Sequence, residues 1–460
     1  MIANILRLPT NVLEDFAREL NKHEEEDACF FLFRRLKTAD RQIIMVRRVV
    51  PIAEEHVVRR TRNEILFEGA ALVRAFRHAI EDHSFLGFAH SHPDGAFSFS
   101  DKDDAVDKSI LNTIQNRMEH QPVYPSLIWA NGSFCNGRVW TPRAVHRCIT
   151  SVSVVGESLS FFPLPPRNEA TIDEAFSRQV ELFSSKLQTE ISKLRVGVVG
   201  LGGTGSAVIM QVARLGVGEL LLVDPDRVER SNVNRLHGAA LKDVSSKKSD
   251  VAEALVRSIG MGTRIRSFFA NVADQDVAKI VGTCDVVFAC TDDELGRSIL
   301  SRISYACLVP VFDMGIKIDI KGGILNNIDG RVTTLLPSEA CLECRGRITP
   351  EGIRADSLRN YDPEQAEVLE RDGYLGRADL NAPAVVTFTT GIAVHAINEL
   401  FHRTMGLFGP TRKSSEILVR FKVLEIRGNR KAKRDGCYCH NKSFRGSGDA
   451  SPFLGIMWQS

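Results

Sequence analysis

The stretch that most constrains this chain runs from Leu194 to Lys248. Val196, Val198 and Val199 make a short buried-strand pattern, and Gly200, Gly202 and Gly205 follow as a G-x-G-x-x-G turn that opens onto an apolar helix reaching Leu215. Leu220 to Val223 make a second strand that ends at Asp224. Glycines at such a turn let backbone approach a phosphate while the helix start turns its free N–H groups toward the anion. An acidic residue ending the second strand is placed to bond a ribose hydroxyl. The dinucleotide site of an NAD-dependent oxidoreductase satisfies the same pattern, so the turn alone does not decide. The residues past Asp224 do: Asp226, Ser231, Asn232, Arg235 and Lys248. A redox cofactor does not need an Arg and a Lys converging there. A triphosphate attacked at its α-phosphorus does, because charge builds on the pentavalent centre and on departing pyrophosphate. Nucleotidyl transfer is therefore favoured over hydride transfer. Strands at 265–270, 286–290 and 309–313, separated by helical patterns, continue an α/β alternation that predicts a doubly wound, Rossmann-like sheet.

The first 150 residues carry a different chemistry. Strand-like 42–51 and a helix over 67–80 lead to an apolar run ending in His90-Ser91-His92-Pro93. Two His one residue apart on a strand point to the same side and can share a metal. Asp103, on the next helix, can supply an oxygen ligand, which leaves the fourth zinc position for water, as hydrolysis requires. Ser100, one turn earlier, is placed to stabilise a tetrahedral oxyanion. Upstream, a predicted helix over 11–20 precedes Glu24-Glu25-Glu26-Asp27, which abuts the apolar strand 28–33; a solvated turn is the bland reading of that acidic run. Asn131-Gly132 predicts the turn of a hairpin between Trp129 and Trp140. Near the other end, Cys341-x-x-Cys344 and Cys437-x-Cys439 offer four thiolates for a closed tetrahedral centre, with His440 as a substitute ligand and a redox pair or unligated thiols as the alternatives.

Composition narrows the classes. At 460 residues and 43% hydrophobic the chain can bury more than one core. A net charge of +2 argues against a dedicated nucleic-acid binder. Ten Cys in this length are no disulfide framework. The most apolar windows are broken by Gly, Asp, Arg or His, so no membrane span is expected. Met1 to Glu19 has no basic-then-apolar signal and reads as a short amphipathic helix, which predicts a cytoplasmic protein.

Both halves resemble known families. From Ser177 to Leu400 the order G-x-G-x-x-G, D-x-D, S-N-x-x-R, Lys248 and Cys-Thr-Asp292 resembles the ThiF-type adenylyltransferases of the ubiquitin-activating-enzyme superfamily. That resemblance implies Asp224 on ribose, Arg235 and Lys248 on the phosphates, and Asp292 on magnesium. It also implies that Arg178, in an Arg-Gln pair before the first strand, reaches the nucleotide of the other subunit in a homodimer. His-x-His-Pro-x6-Ser-x-x-Asp resembles the JAMM (JAB/MPN) metalloproteases, which cut peptide or isopeptide bonds after ubiquitin-like C-termini. It implies a Glu as general base: Glu26 by register, with Glu25 close behind. The polar, loop-like 345–379 stands where the ThiF family has its crossover loop, before a helix from Asn381 to Leu400; no Cys lies between Cys344 and Cys437 to carry a thioester.

The expected organisation is a zinc metalloprotease domain over 1–150 and a Pro-rich linker over 151–170, then an ATP-binding ThiF-type domain with structural zinc over 171–442 and a tail over 443–460. The resemblances imply a bifunctional enzyme of a bacterial ubiquitin-like conjugation or sulfur-carrier pathway. It would use catalytic zinc, ATP and magnesium on a ubiquitin-like or sulfur-carrier protein ending in Gly, with a conjugating enzyme as a further partner. The competing expectations are an adenylyltransferase whose N-terminal half only binds the ubiquitin-like fold, and an NAD-dependent oxidoreductase.

Overall fold

The apolar runs become two separate eight-stranded sheets. The computed structural model describes residues 2–118, 120–166, 172–372, 374–375 and 383–458. One compact unit comprises Met1–Asn168 with Arg445–Ala450, the other Glu169–Phe444 with Ser451–Ser460.

The first unit runs β1 (Ala3–Pro9), α1 (Thr10–Leu20), β2 (Ala28–Lys37), β3 (Arg41–Pro51), β4 (Val57–Thr61), β5 (Glu64–Phe67), α2 (Gly69–Glu81), β6 (Phe85–Ser91), α3 (Asp101–Arg117), β7 (Tyr124–Ala130), β8 (Ser133–Trp140), β9 (His146–Val155) and β10 (Leu159–Pro163). Its main sheet has the order β1-β3-β2-β6-β7-β8-β9-β10, and β9 also pairs with β1, so the strand circuit closes. One face is covered by α1, whose Val12, Phe16 and Leu20 pack on Leu6, Phe31 and Phe33. The other is covered by α2 and α3, through Ala75, Phe76, Ile110 and Leu111. The β7–β8 turn is Asn131-Gly132, both left-handed at φ 52° and 74°, as an Asn-Gly hairpin demands.

Two expectations fail here. Residues 3–9, read as part of an amphipathic helix, are the parallel strand β1, buried between β3 and β9. Much of the expected 151–170 linker belongs to β9 and β10, because apolar residues at 152, 154, 159 and 161 are buried in that sheet before the Pro-Pro step is reached. The expected tail also contributes structure: the Asp449 N–H donates to the Arg35 carbonyl at 2.9 Å, and an added Cβ on Gly448 would collide with that carbonyl.

The second unit runs α4 (Ser177–Ile191), β11 (Arg195–Val199), α5 (Gly203–Arg214), β12 (Glu219–Val223), α6 (Lys248–Ile259), β13 (Arg264–Phe268), α7 (Gln275–Val281), β14 (Val286–Ala289), α8 (Glu294–Ala306), β15 (Val311–Lys321), β16 (Ile324–Leu335), α9 (Pro350–Tyr361), α10 (Pro363–Arg371), α11 (Val386–Met405), β17 (Glu416–Arg420) and β18 (Glu425–Asn429). The order β13-β12-β11-β14-β15 is parallel, and β16, β17 and β18 extend it antiparallel. Strand order reverses between β11 and β14, which opens a crevice at their C-terminal ends. The stretch 345–379, expected as loop, holds α9 and α10, each opened by a Pro in its first turn and by the side-chain caps Thr349 and Asp362. The expected helix start at Asn381 lies outside the described residues; the helix observed is α11. No described helix is long and apolar enough to cross a membrane.

Candidate functional site

In the first unit, β6 delivers His90, and the chain stays extended through His92, whose N–H donates to the Trp129 carbonyl at 2.8 Å. Period-two alternation puts both rings on one side, with their Nε2 atoms 3.0 Å apart. Asp103, in the first turn of α3, brings its oxygens to 3.2 Å from His90 Nε2 and 3.6 Å from His92 Nε2. Ser100 caps that helix: its hydroxyl donates to Asp103 Oδ2 at 2.8 Å and accepts from the Asp103 N–H, which sets the carboxylate's rotamer. Burial alone would raise the Asp103 carboxyl, but hydrogen bonds to His90 and His92 hold it far below the usual carboxylate range. The three donor atoms lie within 4.8 Å of one another. Two convergent imidazole nitrogens and a carboxylate are a zinc donor set with a position to spare. His92 Nδ1 meets the Ala96 carbonyl at 3.0 Å, the bond that leaves Nε2 free to ligate.

The acidic run resolves into different environments. Glu24 and Glu25 are exposed, while Glu26 is 5% exposed beside the cluster. Pairing of Ala28 with His90 and of Asp27 with Ser91 brings Glu26 opposite His92. Burial raises the Glu26 carboxyl to about 7, with His90 pulling down and Asp103 pushing up.

In the second unit, Gly200 has φ +86°, and an added Cβ would stand 2.6 Å from the Cys290 carbonyl oxygen. A Cβ on Gly205 would strike the Gly200 carbonyl, so both glycines are packing requirements. Gly202, at the start of α5, faces open space, as close phosphate approach requires. Asp224, 3% exposed, accepts from the Leu201 N–H at 2.6 Å and the Asp226 N–H at 2.8 Å, which fixes the turn to the end of β12. Lys248 Nζ lies 2.7 Å from Asp226 and 4.0 Å from Asp224. Burial alone would lower the Lys248 ammonium, but Asp224, Asp226 and Asp292 outweigh it and raise its pKa. Arg235 donates to the Ser231 carbonyl at 2.7 Å, and its Cδ stands 3.4 Å from the Cβ position of Gly203. Ser231 and Asn232 bond each other and Glu229, in the turn carrying Arg235. Arg178 is exposed on α4, and no described bond joins it to this cluster.

Residues 176–439 match the ThiF family. The chain belongs to the ThiF family. Residues 9–141 match the prokaryotic homologs of the JAB domain, so the protein fuses a JAB-type unit to a ThiF domain. It is 31% identical over 185 residues to the SAMP-activating enzyme E1 of Haloferax volcanii, spanning 40% of this chain and 65% of that protein, just under two thirds. It is 32% identical over 182 residues to the molybdopterin-synthase adenylyltransferase of Escherichia coli, spanning 38% of this chain and 69% of that one. Among solved structures, E. coli MccB aligns at a TM-score of 0.45 and 16% identity over 61% of this chain and 76% of MccB.

The ThiF domain also gathers the four thiols. Cys341 Sγ and Cys437 Sγ are 3.5 Å apart, Cys344 Sγ and Cys439 Sγ 3.6 Å, and all four lie within 4.8 Å of one another. The one-residue spacing of the second pair suffices, and His440 turns out to Asp435 at 3.2 Å instead. Four soft donors with no open position fit structural zinc. Sequence reasoning missed Asp313, fully buried in β15 between Arg297 at 3.6 Å and Arg331, with which it forms an ion pair. A lone Asp in Val-Phe-Asp-Met was the available signal, but its partners come from α8 and β16.

Proposed function

We propose that the protein is a bifunctional enzyme acting on a ubiquitin-like or sulfur-carrier protein that ends in Gly. The ThiF domain would activate the terminal carboxylate with ATP and magnesium. The JAB unit would cut the peptide or isopeptide bond that follows that Gly. The observation that carries the reading is the glycine turn of a ThiF sheet tied by the Leu201 N–H to Asp224, with Lys248 4.0 Å from Asp224 and Arg235 against Gly203. The names of the relatives, an activating enzyme and an adenylyltransferase, point the same way.

In the activation step, Asp224 would hold the ribose, Arg235 and Lys248 the triphosphate, and Asp292 magnesium, which would offset phosphate charge when bound. A carboxylate oxygen of the partner attacks the α-phosphorus, a P–O bond to pyrophosphate breaks, and an acyl-adenylate forms. Arg235 and Lys248 offset the charge that builds on the phosphates. Exposed on α4, Arg178 is free to reach the nucleotide of a second subunit, which makes a homodimer the expected assembly. In the cleavage step His90, His92 and Asp103 would hold zinc, which supplies Lewis acidity for hydrolysis when bound. Glu26 takes the proton of the attacking water and gives it to the departing amine, and the Ser100 hydroxyl would turn from Asp103 Oδ2 to donate to the tetrahedral oxyanion. Cys341, Cys344, Cys437 and Cys439 would hold structural zinc. Reduced thiols and ATP suit a cytoplasmic setting, and a conjugating enzyme would be the later acceptor.

Cleavage produces the carboxylate that activation consumes, which gives the fusion its logic. The test is ATP–pyrophosphate exchange with magnesium and a Gly-ending ubiquitin-like protein, offered both trimmed and with a C-terminal extension. Exchange at once with the trimmed form, but with the extended form only when zinc is loaded, is the expected result. Exchange with neither, despite ATP binding, overturns it.

A further inference from the structure

Glu24 to Asp27 is an unbroken acidic run, yet its two buried members are held in opposite ways. Among the described hydrogen bonds and ion pairs, none involves the Glu26 carboxylate, which stands beside the ligand cluster untethered. The Asp27 carboxylate, 2% exposed, is fully engaged. Its Oδ2 accepts from the Lys22 N–H and the His23 N–H, each at 2.9 Å. Its Oδ1 lies 2.7 Å from His23 Nδ1 and 3.4 Å from Arg60 Nε. Arg60 is held in turn by Glu54, through two bonds of 2.9 and 3.0 Å.

The main chain of the same residue is clamped as well. The Asp27 N–H donates to Ser91 Oγ at 2.8 Å, and the Asp27 carbonyl accepts from the Ser91 N–H at 2.8 Å. Ser91 stands between the two ligand histidines. Along an extended chain, Asp27 and Ser91 face away from the side that Glu26, His90 and His92 share. One residue earlier, the Glu26 N–H donates to the Thr61 carbonyl of β4 at 2.9 Å. Loop 22–27, β4 and the strand bearing the histidines therefore meet at Asp27.

We propose that Asp27 is a positioning residue that holds Glu26 toward the His90–His92–Asp103 cluster by locking these three segments into one frame. The proposal rests on Glu26 serving as the base of the cleavage read above. A carboxylate with no tether of its own keeps its place only if the backbone bearing it is fixed, and Asp27 is the adjoining residue that fixes it. A misplacement of about 1 Å at such a group costs up to roughly 100-fold in rate.

The test uses the full, zinc-loaded chain and a Gly-Gly-aminomethylcoumarin peptide, with Asp27→Ala and Asp27→Asn each made in the Glu26 and Glu26→Gln backgrounds. Amide hydrogen exchange at Lys22, His23 and Glu26 is followed in parallel. Asp27→Ala is expected to lower kcat roughly 10- to 100-fold with KM within about twofold. Zinc stoichiometry stays unchanged and the three amides exchange faster. Asp27→Asn, which keeps the volume and one acceptor, falls between, and it carries the test should Asp27→Ala not fold. In the Glu26→Gln background either change costs nothing further, because a residue acting through Glu26 has nothing left to position. Equal losses in both backgrounds, loss of zinc, or unaltered kcat and exchange would overturn the proposal. Should the unsubstituted chain not cut the peptide, the cleavage reading fails on its own, and the exchange at Glu26 still decides whether Asp27 holds it.

Discussion

The JAB unit offers three converging ligands and keeps a free, buried carboxylate beside them, whereas the ThiF domain offers four thiols walled by Tyr305, Tyr438 and Phe444. On the reading proposed above, an ion in the first would have a place for water and a base beside it. An ion in the second has neither, and its ligands come from chain segments about a hundred residues apart, 341–344 and 437–439. Ligand count and the nearest titratable group are thus what would separate a site built to react from one built to staple.

The largest expected effect lies at the staple. Cys344→Ser should remove one zinc per chain and several kcal/mol of ThiF-domain stability, out of the roughly 10–16 kcal/mol of apparent binding free energy that closed zinc sites supply. Metal analysis and calorimetry check this, with ATP–pyrophosphate exchange lost as a consequence of unfolding. Unaltered zinc content and melting would break the comparison at once.

His92→Ala is the counterpart at the open site. Cleavage should fall to background, several kcal/mol of transition-state stabilisation, while exchange and the ThiF unfolding transition stay as they were. Equal loss of both activities in a folded His92→Ala protein would end the division of labour between the two units.

How far these sites were legible depends on how local their information is. His90, His92, Ser100 and Asp103 lie within 14 residues, and strand alternation plus one helix turn places them, so spacing alone was enough. Each Cys pair was legible for the same reason; their union was an inference that tertiary structure had to complete. Glu26 and Glu25 differ in the sequence only by register; the fold buries the first and leaves the second exposed. Asp313 with Arg297 and Arg331 was illegible, since three elements contribute one charge each. The parallel strand β1 was missed because its apolar residues suit a helix as well as a strand with both faces covered. In 350–371 the polar surface hid two helices that their Pro and cap residues announce.

Glu26→Gln sharpens the comparison by removing the base and sparing the ligands. Cleavage should drop roughly 10²- to 10⁴-fold with zinc retained. The metal-free protein supplies a second reading. Because the folded-state carboxyl is raised from 4.5 to about 7 by burial, the folded state resists ionisation, and Glu26 should cost stability as pH rises from about 4.5 to 7. Its share is on the order of 3 kcal/mol, and Glu26→Gln should remove that share while leaving the fall above about pH 6.5 that comes from His92, whose pKa burial alone would lower but Asp103 raises. A fall between about pH 4.5 and 6 that survives the substitution would assign it to another group.

Ser100→Ala has the smallest expected effect and separates two roles that the geometry superimposes. As the cap of α3, Ser100 accepts the Asp103 N–H, and its loss should cost the JAB unit about 1 kcal/mol in denaturant unfolding. As a donor to Asp103 Oδ2 it orients a ligand, and zinc affinity should weaken about 10-fold or more, measured by chelator competition. With zinc saturating, any remaining loss of kcat belongs to the oxyanion. Ser100→Thr is the control: it keeps the cap and the hydroxyl proton without adding charge beside Asp103 Oδ2, and should restore stability and zinc affinity. Cleavage restored with them would assign all three effects to the hydroxyl; a zinc-saturated Ser100→Ala protein that cleaves at the full rate would reduce Ser100 to a cap and a support for the ligand.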